Sequence, residues 1–376
     1  MIREAKKALA DFGLSLSPET VIADLNIAQQ QMVEIVKAIS FNAKIIVMDE
    51  PTSSLADKEV EVLFESVRRL TARGIGIIYI SHRMSELGQI ADRVTVMRDG
   101  EYVGTKVVKD VTTDELITMM VGRSLSRYYT RTFNECTENV LEVKGLCSNK
   151  VHDVNFDLKK GEILGFAGLI GAGRSETMKA IFGIDKVTAG SVLLNGQELR
   201  GKKTKEIMQF GIGLVPEDRR AEGIFPEMSI KFNITLKVLQ EFMKGAHVDY
   251  PKEDSISDAF TSRLAVKAPS SETPIRSLSG GNQQKVIFGS WLAMNPKVII
   301  LDEPTRGIDV GAKSEIYTIM NELAREGVSI IMVSSDLPEV LNMSDRIAVM
   351  SGGTITAILD RTEATQEKIM QNAVQY

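Results

Sequence analysis

Short apolar runs alternate along the chain with longer stretches in which apolar residues recur every three or four positions. Residues 44–48 predict a β-strand, 58–72 an amphipathic helix, and 76–80 a second strand. Strands that alternate with helices of this length indicate a parallel sheet, because the helices form the crossover connections. We therefore expect an α/β fold.

The same order of elements returns in the second half of the chain, over residues 297–333 and a further strand at 346–350. Asp49-Glu50-Pro51-Thr52 recurs as Asp302-Glu303-Pro304-Thr305, at an offset of 253 residues (302 − 49 = 253). Other landmarks keep this offset: Gly74, Ser81, Asp92 and Arg93 return at Gly327, Ser334, Asp345 and Arg346. An ungapped repeat of this length indicates a tandem of two related units.

Between the repeats, residues 121–139 are polar and unperiodic and predict a connector. Two antiparallel strands are expected at 140–144 and 151–158, a buried strand at 162–167, and a mostly helical insertion at 226–273. The expected domains are 1–135 and 136–376. A glycine-rich loop at 168–175 has no counterpart in the chain, since the same offset places it 85 residues before Met1 (168 − 253 = −85). We expect the first domain to be the C-terminal part of a unit and the second to be complete.

Composition narrows the function classes. The chain has 376 residues, 43% of them hydrophobic, and carries 45 basic against 50 acidic residues, for a net charge of −5. With no dense basic run, nucleic acid is not the expected partner. No apolar stretch approaches the roughly 18 residues that span a bilayer, and the first residues predict an amphipathic helix rather than a signal peptide. Cys136 and Cys147 lack metal-ligand spacing and predict reduced thiols.

The loop at 168–175 lies between a predicted strand and a predicted helix at 176–182, which is the context of a phosphate-binding loop. Glycines allow the backbone to approach an anion closely, and helix N–H groups point at it. The residues expected to bind nucleotide are Gly168, Gly171, Ala172, Gly173, Arg174, Ser175 and Glu176. Arg174 stands where lysine is usual, which keeps the charge but widens the donor. The alternative is a tight turn with no ligand.

The strand before Asp302 delivers two carboxylates to its carboxyl end. Asp302, together with the Ser175 hydroxyl, is expected to hold Mg²⁺, and Glu303 to orient the attacking water. Asp49 and Glu50 are the equivalent metal ligand and base in the first unit. A structural alternative is an acidic pair that caps the following turn.

Leu278-Ser279-Gly280-Gly281-Asn282-Gln283-Gln284 precedes a predicted helix, so Ser279, Gly280, Gly281 and Asn282 are expected to bind a terminal phosphate. With the phosphate loop and both Asp-Glu-Pro-Thr strands, this segment resembles the ATP-binding cassette family. The duplication, Arg174, LSGGNQQK and DEPTRGIDVGAK are similar to the ATPase subunits of bacterial ribose, galactoside and xylose importers. The resemblance covers essentially the whole chain. It implies tandem nucleoside triphosphatase cassettes, each with a mostly parallel sheet, an antiparallel β-subdomain and a helical subdomain.

The resemblance also implies that each signature segment closes over nucleotide held by the other cassette. One site then combines Asp49, Glu50 and His82, as metal ligand, base and γ-phosphate contact, with the signature at Ser279. A plain polar histidine at a strand end is the alternative for His82. The other site is weaker, and we expect it to bind nucleotide with slow or absent hydrolysis. Its weak features are Arg174, Ser335 at the offset of His82, a degenerate signature at 25–29, and Glu217 where the family has a Mg²⁺-contacting glutamine.

By the same resemblance the chain is an ATP- and Mg²⁺-dependent ATPase that drives monosaccharide uptake. The implied partners are two membrane permease subunits, which residues 217–229 would contact, and an external periplasmic or lipid-anchored sugar-binding protein. The implied location is the cytoplasmic face of the membrane, by peripheral association. For residues 217–229 the alternative is a mobile exposed loop with solvated charges at Arg219 and Arg220. For the whole chain the alternatives are a soluble tandem-cassette factor and a catalytically weak nucleotide-binding remnant or regulatory fragment. The chain by itself is expected to turn over little ATP.

Overall fold

The computed structural model describes all residues except Met1, 12–13, Ser15, Asn26, 41–42, 53–54, Ala56, 82–83, Asp99, 122–127, 134–135, Ala246 and 375–376. The chain divides into two compact units, Met1–Ser124 and Leu125–Tyr376. Each unit has α/β character, with parallel strand pairs and flanking helices. None of the helices in these described ranges has the length and apolar character needed to cross a bilayer.

The first unit contains two small sheets with helices around them. Its elements are α1 (Ile2–Asp11), α2 (Ile27–Ser40), β1 (Ile45–Asp49), α3 (Asp57–Ala72), β2 (Gly76–Ile80), α4 (Met84–Ile90), β3 (Arg93–Arg98), β4 (Glu101–Val107) and α5 (Thr113–Val121). Strands β1 and β2 pair in parallel, and β3 and β4 pair antiparallel. The predicted strand and helix between residues 44 and 80 agree with these bounds to within one residue.

The β1–β2 sheet buries only one of its faces. Ile46 and Met48 point into an apolar cluster that includes Leu63 and Phe64 of α3. On the opposite face Ile45, Val47, Ile78 and Ile80 are exposed. Because side chains alternate across a strand, this face consists of every second residue of both strands.

The second unit holds most of the regular structure. Its elements are β5 (Asn139–Cys147), β6 (Val154–Lys159), β7 (Ile163–Gly168), α6 (Arg174–Ile181), β8 (Ala189–Leu194), β9 (Gln197–Glu198), α7 (Thr204–Phe210), β10 (Ile212–Val215), α8 (Ile230–Thr235), β11 (Met243–Lys244), β12 (His247–Val248), α9 (Tyr250–Arg263), α10 (Gly280–Leu292), β13 (Val298–Asp302), α11 (Val310–Arg325), β14 (Ser329–Val333), α12 (Leu337–Met343), β15 (Arg346–Ser351), β16 (Thr354–Asp360) and α13 (Gln366–Ala373). The insertion predicted at 226–273 contains α8, α9 and the short β11–β12 hairpin, and its last ten residues, 264–273, have no regular structure.

The main sheet of the second unit has the strand order β10-β13-β14-β7-β15-β16. All pairs are parallel except β15–β16. Every residue of β13 and β14 is buried, which is typical of strands covered on both faces. A separate antiparallel sheet, β6-β5-β8-β9, contains the two strands expected before the glycine-rich loop. The parallel order brings the carboxyl ends of β7, β13 and β14 to one edge, where ligands bind in open α/β sheets.

Side-chain caps fix where several helices begin. The Asp309 carboxylate accepts a hydrogen bond from the backbone N–H of Ala312 at the start of α11, at 2.9 Å. Ser229 caps α8 in the same way through the N–H of Phe232. Such caps stabilise a helix by about 1 kcal/mol each, because they satisfy N–H groups that have no partner within the helix. The helical subdomain and α11 are therefore anchored at their N-terminal ends.

The segment expected to be a connector between the units packs against the second unit where it is described. Tyr128 and Tyr129 contact the buried ring of Tyr317 on α11, with ring centroids 5.5 and 5.1 Å apart. Arg131 forms an ion pair with Asp345 and donates a hydrogen bond to Asn321. The polar sequence of this segment does not indicate these contacts, because they join residues between about 190 and 214 positions apart. These contacts agree with the division of the chain into compact units, which assigns this segment to the second unit, while the predicted domain boundary at 135–136 stays a prediction.

The repeat provides a matched pair for testing the two sheets. Ile331 in β14 and Ile78 in β2 occupy the same repeat position (331 − 78 = 253), yet Ile331 is 0% exposed and Ile78 is 53% exposed. We expect Ile331→Val to lower the free energy of unfolding by about 1 kcal/mol, the usual cost of removing one buried methylene group. Ile78→Val should cost roughly a third of that or less, because its side chain is half in water. Urea unfolding of both variants measures this, and equal losses would contradict the difference in burial.

Candidate functional site

The glycine-rich loop joins the carboxyl end of β7 to α6 in a turn that requires glycine. Gly168, Gly171 and Gly173 have φ values of 153°, 83° and 96°, which L-residues with side chains rarely adopt. A Cβ on Gly168 would lie 2.5 Å from the carbonyl oxygen of Met350. Ile170 at the tip is 96% exposed, so the loop lies open at the surface. The loop and the first turn of α6 together form a suitable anion-binding corner.

Two residues predicted to bind nucleotide have structural contacts of their own. Ala172 is buried, and its carbonyl oxygen accepts a hydrogen bond from Gly353 at 3.0 Å. The carboxylate of Glu176, on the first turn of α6, accepts a hydrogen bond from the Lys150 ammonium at 3.0 Å. These contacts hold the loop against the β15–β16 turn and the β5–β6 connection.

Arg174 is the residue that connects the loop to the strand ends. Its Nη1 donates a hydrogen bond to the carbonyl oxygen of Ser334 at 2.8 Å. Its Nη2 lies 3.8 Å from Oε1 of Glu303, and both side chains are largely buried. A cation held between the phosphate loop and an acidic residue is in position to contact a polyphosphate bound at the loop.

Asp302 ends β13 beneath the loop and carries an unsatisfied oxygen. The Ser175 hydroxyl is hydrogen-bonded to its carboxylate, whereas Oδ1 is buried without a hydrogen-bond partner. Burial raises the pKa of Asp302 to about 6, and the neighbouring carboxylates of Glu217 and Glu303 act in the same direction. Buried polar atoms normally have partners, so a lone carboxylate oxygen beside a serine hydroxyl suits a cation that arrives with its ligand.

Glu303 has a strained backbone at the end of the same strand. Its φ is 48°, in the left-handed region, and its N–H donates to the carbonyl oxygen of Val333 at 2.9 Å. The Ser335 hydroxyl donates to Oε2 of Glu303 at 3.0 Å. Burial raises the pKa of Glu303 above its usual range. Ser335 stands at the repeat position of His82, so in this unit a neutral hydroxyl contacts the acidic residue at the strand end.

The first unit repeats the backbone of this arrangement. Glu50 has a φ of 44°, and its N–H donates to the carbonyl oxygen of Ile80 at 2.9 Å. Asp49 and Glu50 are exposed, unlike Asp302. His82 lies outside the described residues, as do Asn26 of the degenerate signature and Ala56. Their proposed roles therefore remain predictions.

Glu217 and Arg219 link the segment after β10 to the loop after β13. Glu217 forms an ion pair with Arg306, a residue that the sequence analysis did not single out. The Arg219 guanidinium donates to the carbonyl oxygens of Arg306 and Gly307, both at 3.1 Å. Burial lowers the pKa of Arg219. The interpretation of residues 217–229 as a mobile loop with solvated charges is therefore wrong for Arg219, although Arg220 is exposed.

The signature segment lies at the N-terminus of α10. Ser279 is exposed, and its hydroxyl accepts a hydrogen bond from the Asn282 side chain at 3.0 Å. Gly280 and Gly281 allow close packing, because a Cβ there would lie 2.7 Å from Nη2 of Arg219 and 2.4 Å from Cβ of Ala312. The two glycines therefore have a packing role within the unit, beside the phosphate contact predicted for them.

Each unit also contains a buried glutamate that no motif of the sequence indicated. Glu339 of α12 accepts hydrogen bonds from the hydroxyls of Thr305, at 3.0 Å, and Ser334. Burial raises the pKa of Glu339 to about 7. Glu86 occupies the same repeat position (339 − 86 = 253) and could have been found from the offset alone.

Comparison with known proteins identifies the family and several relatives. The ABC transporter family matches residues 151–306. The ribose import ATP-binding protein RbsA of Lactococcus lactis subsp. cremoris (strain SK11) is 48% identical over 373 residues, which cover 99% of this chain and 76% of that protein. A putative ribose/galactose/methyl galactoside import ATP-binding protein of Agrobacterium fabrum is 45% identical, with coverage of 99% and 74%.

Solved structures support the fold. A nucleotide-free ATP-binding cassette from an ABC transporter superposes with a TM-score of 0.55 at 21% identity, over 63% of this chain and 100% of that chain. A dimeric cassette in a post-hydrolysis state with ADP and Pi gives a TM-score of 0.52 at 22% identity, over 59% and 98%. At these identities the likeness concerns the fold alone.

Proposed function

The chain belongs to the ATP-binding cassette family, among the ribose and galactoside import ATP-binding proteins, and from this we propose that it is the energy-coupling ATPase subunit of a bacterial monosaccharide importer. The observation that supports the proposal most directly is the juxtaposition of Arg174, Ser175 and Asp302 beneath an open glycine-rich loop. This arrangement supplies a cation, a hydroxyl and a carboxylate to a polyphosphate. Phosphoryl transfer needs mainly such positioning and neutralisation of charge.

We propose that ATP binds with Mg²⁺ at this loop. The Ser175 hydroxyl and the orphaned Oδ1 of Asp302 would hold the ion, with phosphate oxygens and water as its other ligands. No cluster of three or more histidine, cysteine or acidic side chains that could hold a metal occurs among the described residues. Mg²⁺ usually keeps several waters and binds through one or two protein carboxylates. When bound, the ion neutralises charge on the phosphates.

Within the second unit we propose nucleotide binding with slow hydrolysis. Arg174 is tied to Glu303 and to the carbonyl oxygen of Ser334, so Glu303 is partly neutralised where a free carboxylate would orient water. Ser335 contacts Glu303 with a neutral hydroxyl that cannot carry the positive charge of a histidine. In the first unit Glu50 and His82 are the proposed base and γ-phosphate contact, with Asp49 as metal ligand.

The partners and the location are also proposals. Residues 217–229 are proposed to contact two permease subunits on the cytoplasmic face of the membrane, with an external binding protein that delivers the sugar. Phe225 and Met228 in this segment are exposed, at 54% and 47%, and would supply apolar contact area to such an interface. Exposed Arg220 adds a charge to the same segment.

The test measures binding of a fluorescent ATP analogue with and without Mg²⁺, and hydrolysis in a single turnover with protein in excess. Asp302→Asn should weaken Mg²⁺-dependent binding at least about tenfold, while binding in EDTA stays near that of the wild type. Glu303→Gln should bind like the wild type. Hydrolysis by the wild-type chain should be well below the roughly 1 s⁻¹ of ordinary enzymes. Fast turnover abolished by Glu303→Gln but not by Glu50→Gln would sink the slow-site proposal.

Transport is tested in cells from which the coding sequence has been deleted. Uptake of radiolabelled ribose, galactose and xylose should fall for at least one sugar and recover with the wild-type gene. Recovery with the Asp302→Asn gene should be incomplete. Unchanged uptake of all three sugars would contradict the importer role.

A further inference from the structure

Both units bury a glutamate between the same two hydroxyls. In the second unit, Oε1 of Glu339 accepts from Thr305 at 3.0 Å and Oε2 accepts from Ser334. In the first unit, Oε1 of Glu86 accepts from Thr52 at 2.6 Å and Oε2 accepts from Ser81 at 2.8 Å. The threonine and serine hydroxyls meet the same carboxylate oxygens in both units, while Oε2 of Glu86 also accepts from the Tyr79 hydroxyl at 2.9 Å. Both glutamates are at least 97% buried, with exposures of 1% for Glu339 and 3% for Glu86.

This arrangement has been kept, together with the Asp-Glu-Pro-Thr segment, where other parts of the repeated site have diverged. His82 of the first unit corresponds to Ser335 of the second, and Ala56 corresponds to Asp309. The signature glycines of the second unit correspond to larger residues in the first. A buried carboxylate costs desolvation energy that only well-placed hydrogen bonds offset. The buried carboxylate is present in both units. We therefore expect its role to be independent of the residues at which the two sites differ.

The two hydroxyls belong to the loops that flank the acidic residue at the end of the strand. Thr305 lies two residues after Glu303, and Ser334 directly precedes Ser335, which donates to Glu303. The Ser334 carbonyl oxygen also accepts the hydrogen bond from Arg174. Glu339 therefore joins the loop after β13, through Thr305, to the loop after β14, through Ser334. Arg174 contacts the same two loops, at Glu303 and at the Ser334 carbonyl oxygen.

We propose that Glu339, and Glu86 in the first unit, are positioning residues that fix the loop after the Asp-Glu strand against the loop after the neighbouring strand. Each carboxylate holds both loops through one hydroxyl apiece, and so sets where the preceding acidic residue can meet the terminal phosphate and water. This inference rests on the proposed function for its kinetic consequence. The geometric coupling itself is independent of nucleotide.

Amide hydrogen exchange of the nucleotide-free full chain tests the coupling. Glu339→Ala should speed exchange in residues 303–309 and 334–337 together, whereas Glu339→Gln should not, because an amide can accept from Thr305 and donate to Ser334. Thr305→Val is the milder second variant in case Glu339→Ala does not fold, and it should loosen both segments as well. Exchange that rises in only one segment, or equally for Glu339→Gln, would overturn the coupling.

Single-turnover hydrolysis and the affinity for the fluorescent ATP analogue test the consequence. In Glu339→Ala the rate should fall on the order of 10- to 100-fold, as expected when a reacting group is misplaced by about 1 Å, with affinity within roughly twofold of the wild type. Glu339→Gln should restore the rate. Parallel losses of rate and affinity in Glu339→Ala would show a merely structural role. A wild-type chain that binds no Mg²⁺–nucleotide would contradict the proposed function, while the exchange data would still decide the coupling.

Discussion

Replacing Arg174 by alanine should weaken the binding of Mg²⁺–nucleotide on the order of 100-fold. A hydrogen bond to a charged group contributes about 1.5–3 kcal/mol, and each 1.4 kcal/mol is a factor of ten in affinity. The guanidinium is already ordered beside the loop, with one nitrogen on the Ser334 carbonyl oxygen and another 3.8 Å from Glu303. Little side-chain entropy is therefore lost when phosphate binds, which favours the upper part of the range.

Two further variants make this prediction specific. Arg174→Lys should retain affinity to within roughly fivefold, because an ammonium keeps the charge but loses the planar fork that spans two acceptors. Arg220→Ala removes an exposed arginine on another loop and should leave affinity unchanged. Titration of the fluorescent ATP analogue into each variant measures the dissociation constants. If Arg174→Ala binds like the wild type, residues 168–175 form only a tight turn, the alternative that the sequence left open.

The features that the sequence predicted are those encoded over short stretches. The strand from Ile45, the helix from Asp57 and the strand from Gly76 follow from periodicity, and their ends agree with prediction to within one residue. The glycine-rich loop and the acidic strand ends converge because parallel strands share an edge. The repeat offset of 253 residues then predicted which residues of the first unit correspond to the acidic strand end of the second.

The features that the sequence did not predict depend on contacts between distant positions. Arg219 looks like a solvated charge in its own segment, and only the position of Gly307, 88 residues later, makes it a half-buried hydrogen-bond donor. Arg131 meets Asp345 across 214 positions. Periodicity contains no information about which loops meet. Glu339 lies between these two cases. Its match to Glu86 can be read from the repeat offset, but a glutamate on a short helix gives no local sign that it is buried.

Glu339 should make the second unit less stable as the pH rises towards and above neutrality. Burial raises the pKa of Glu339 from its ordinary value of 4.5 to about 7, and the carboxylate of Asp336 acts in the same direction. Lys313 and the hydroxyls of Ser334 and Thr305 oppose this shift. The nearby Tyr317 has a pKa raised far above this range by burial, so it does not titrate here.

The unfolding free energy falls as the pH rises because the folded chain holds the proton on Glu339 more tightly than the unfolded chain does. Between about pH 4.5 and 7 the folded chain keeps the proton on Glu339 and the unfolded chain releases it. The stabilisation is therefore complete below the unfolded pKa and is lost as the pH rises through the folded pKa. A shift of this size corresponds to about 3 kcal/mol, since one pKa unit is worth about 1.4 kcal/mol.

Urea unfolding monitored by Trp291 fluorescence measures this effect, because the chain has a single tryptophan and it lies on α10 of the second unit. The difference in unfolding free energy between the wild type and Glu339→Gln, followed from pH 5 to 8, cancels the titration of all other groups. Between pH 5 and 8 it should change by roughly 2–3 kcal/mol in favour of the variant, because part of the full effect is already lost at pH 5. Glu322→Gln, at an exposed position of α11, should follow the wild type across the range. A difference between the wild type and Glu339→Gln that stays constant with pH would show that Glu339 keeps an ordinary pKa, and that its hydrogen bonds to Thr305 and Ser334 fully offset its burial.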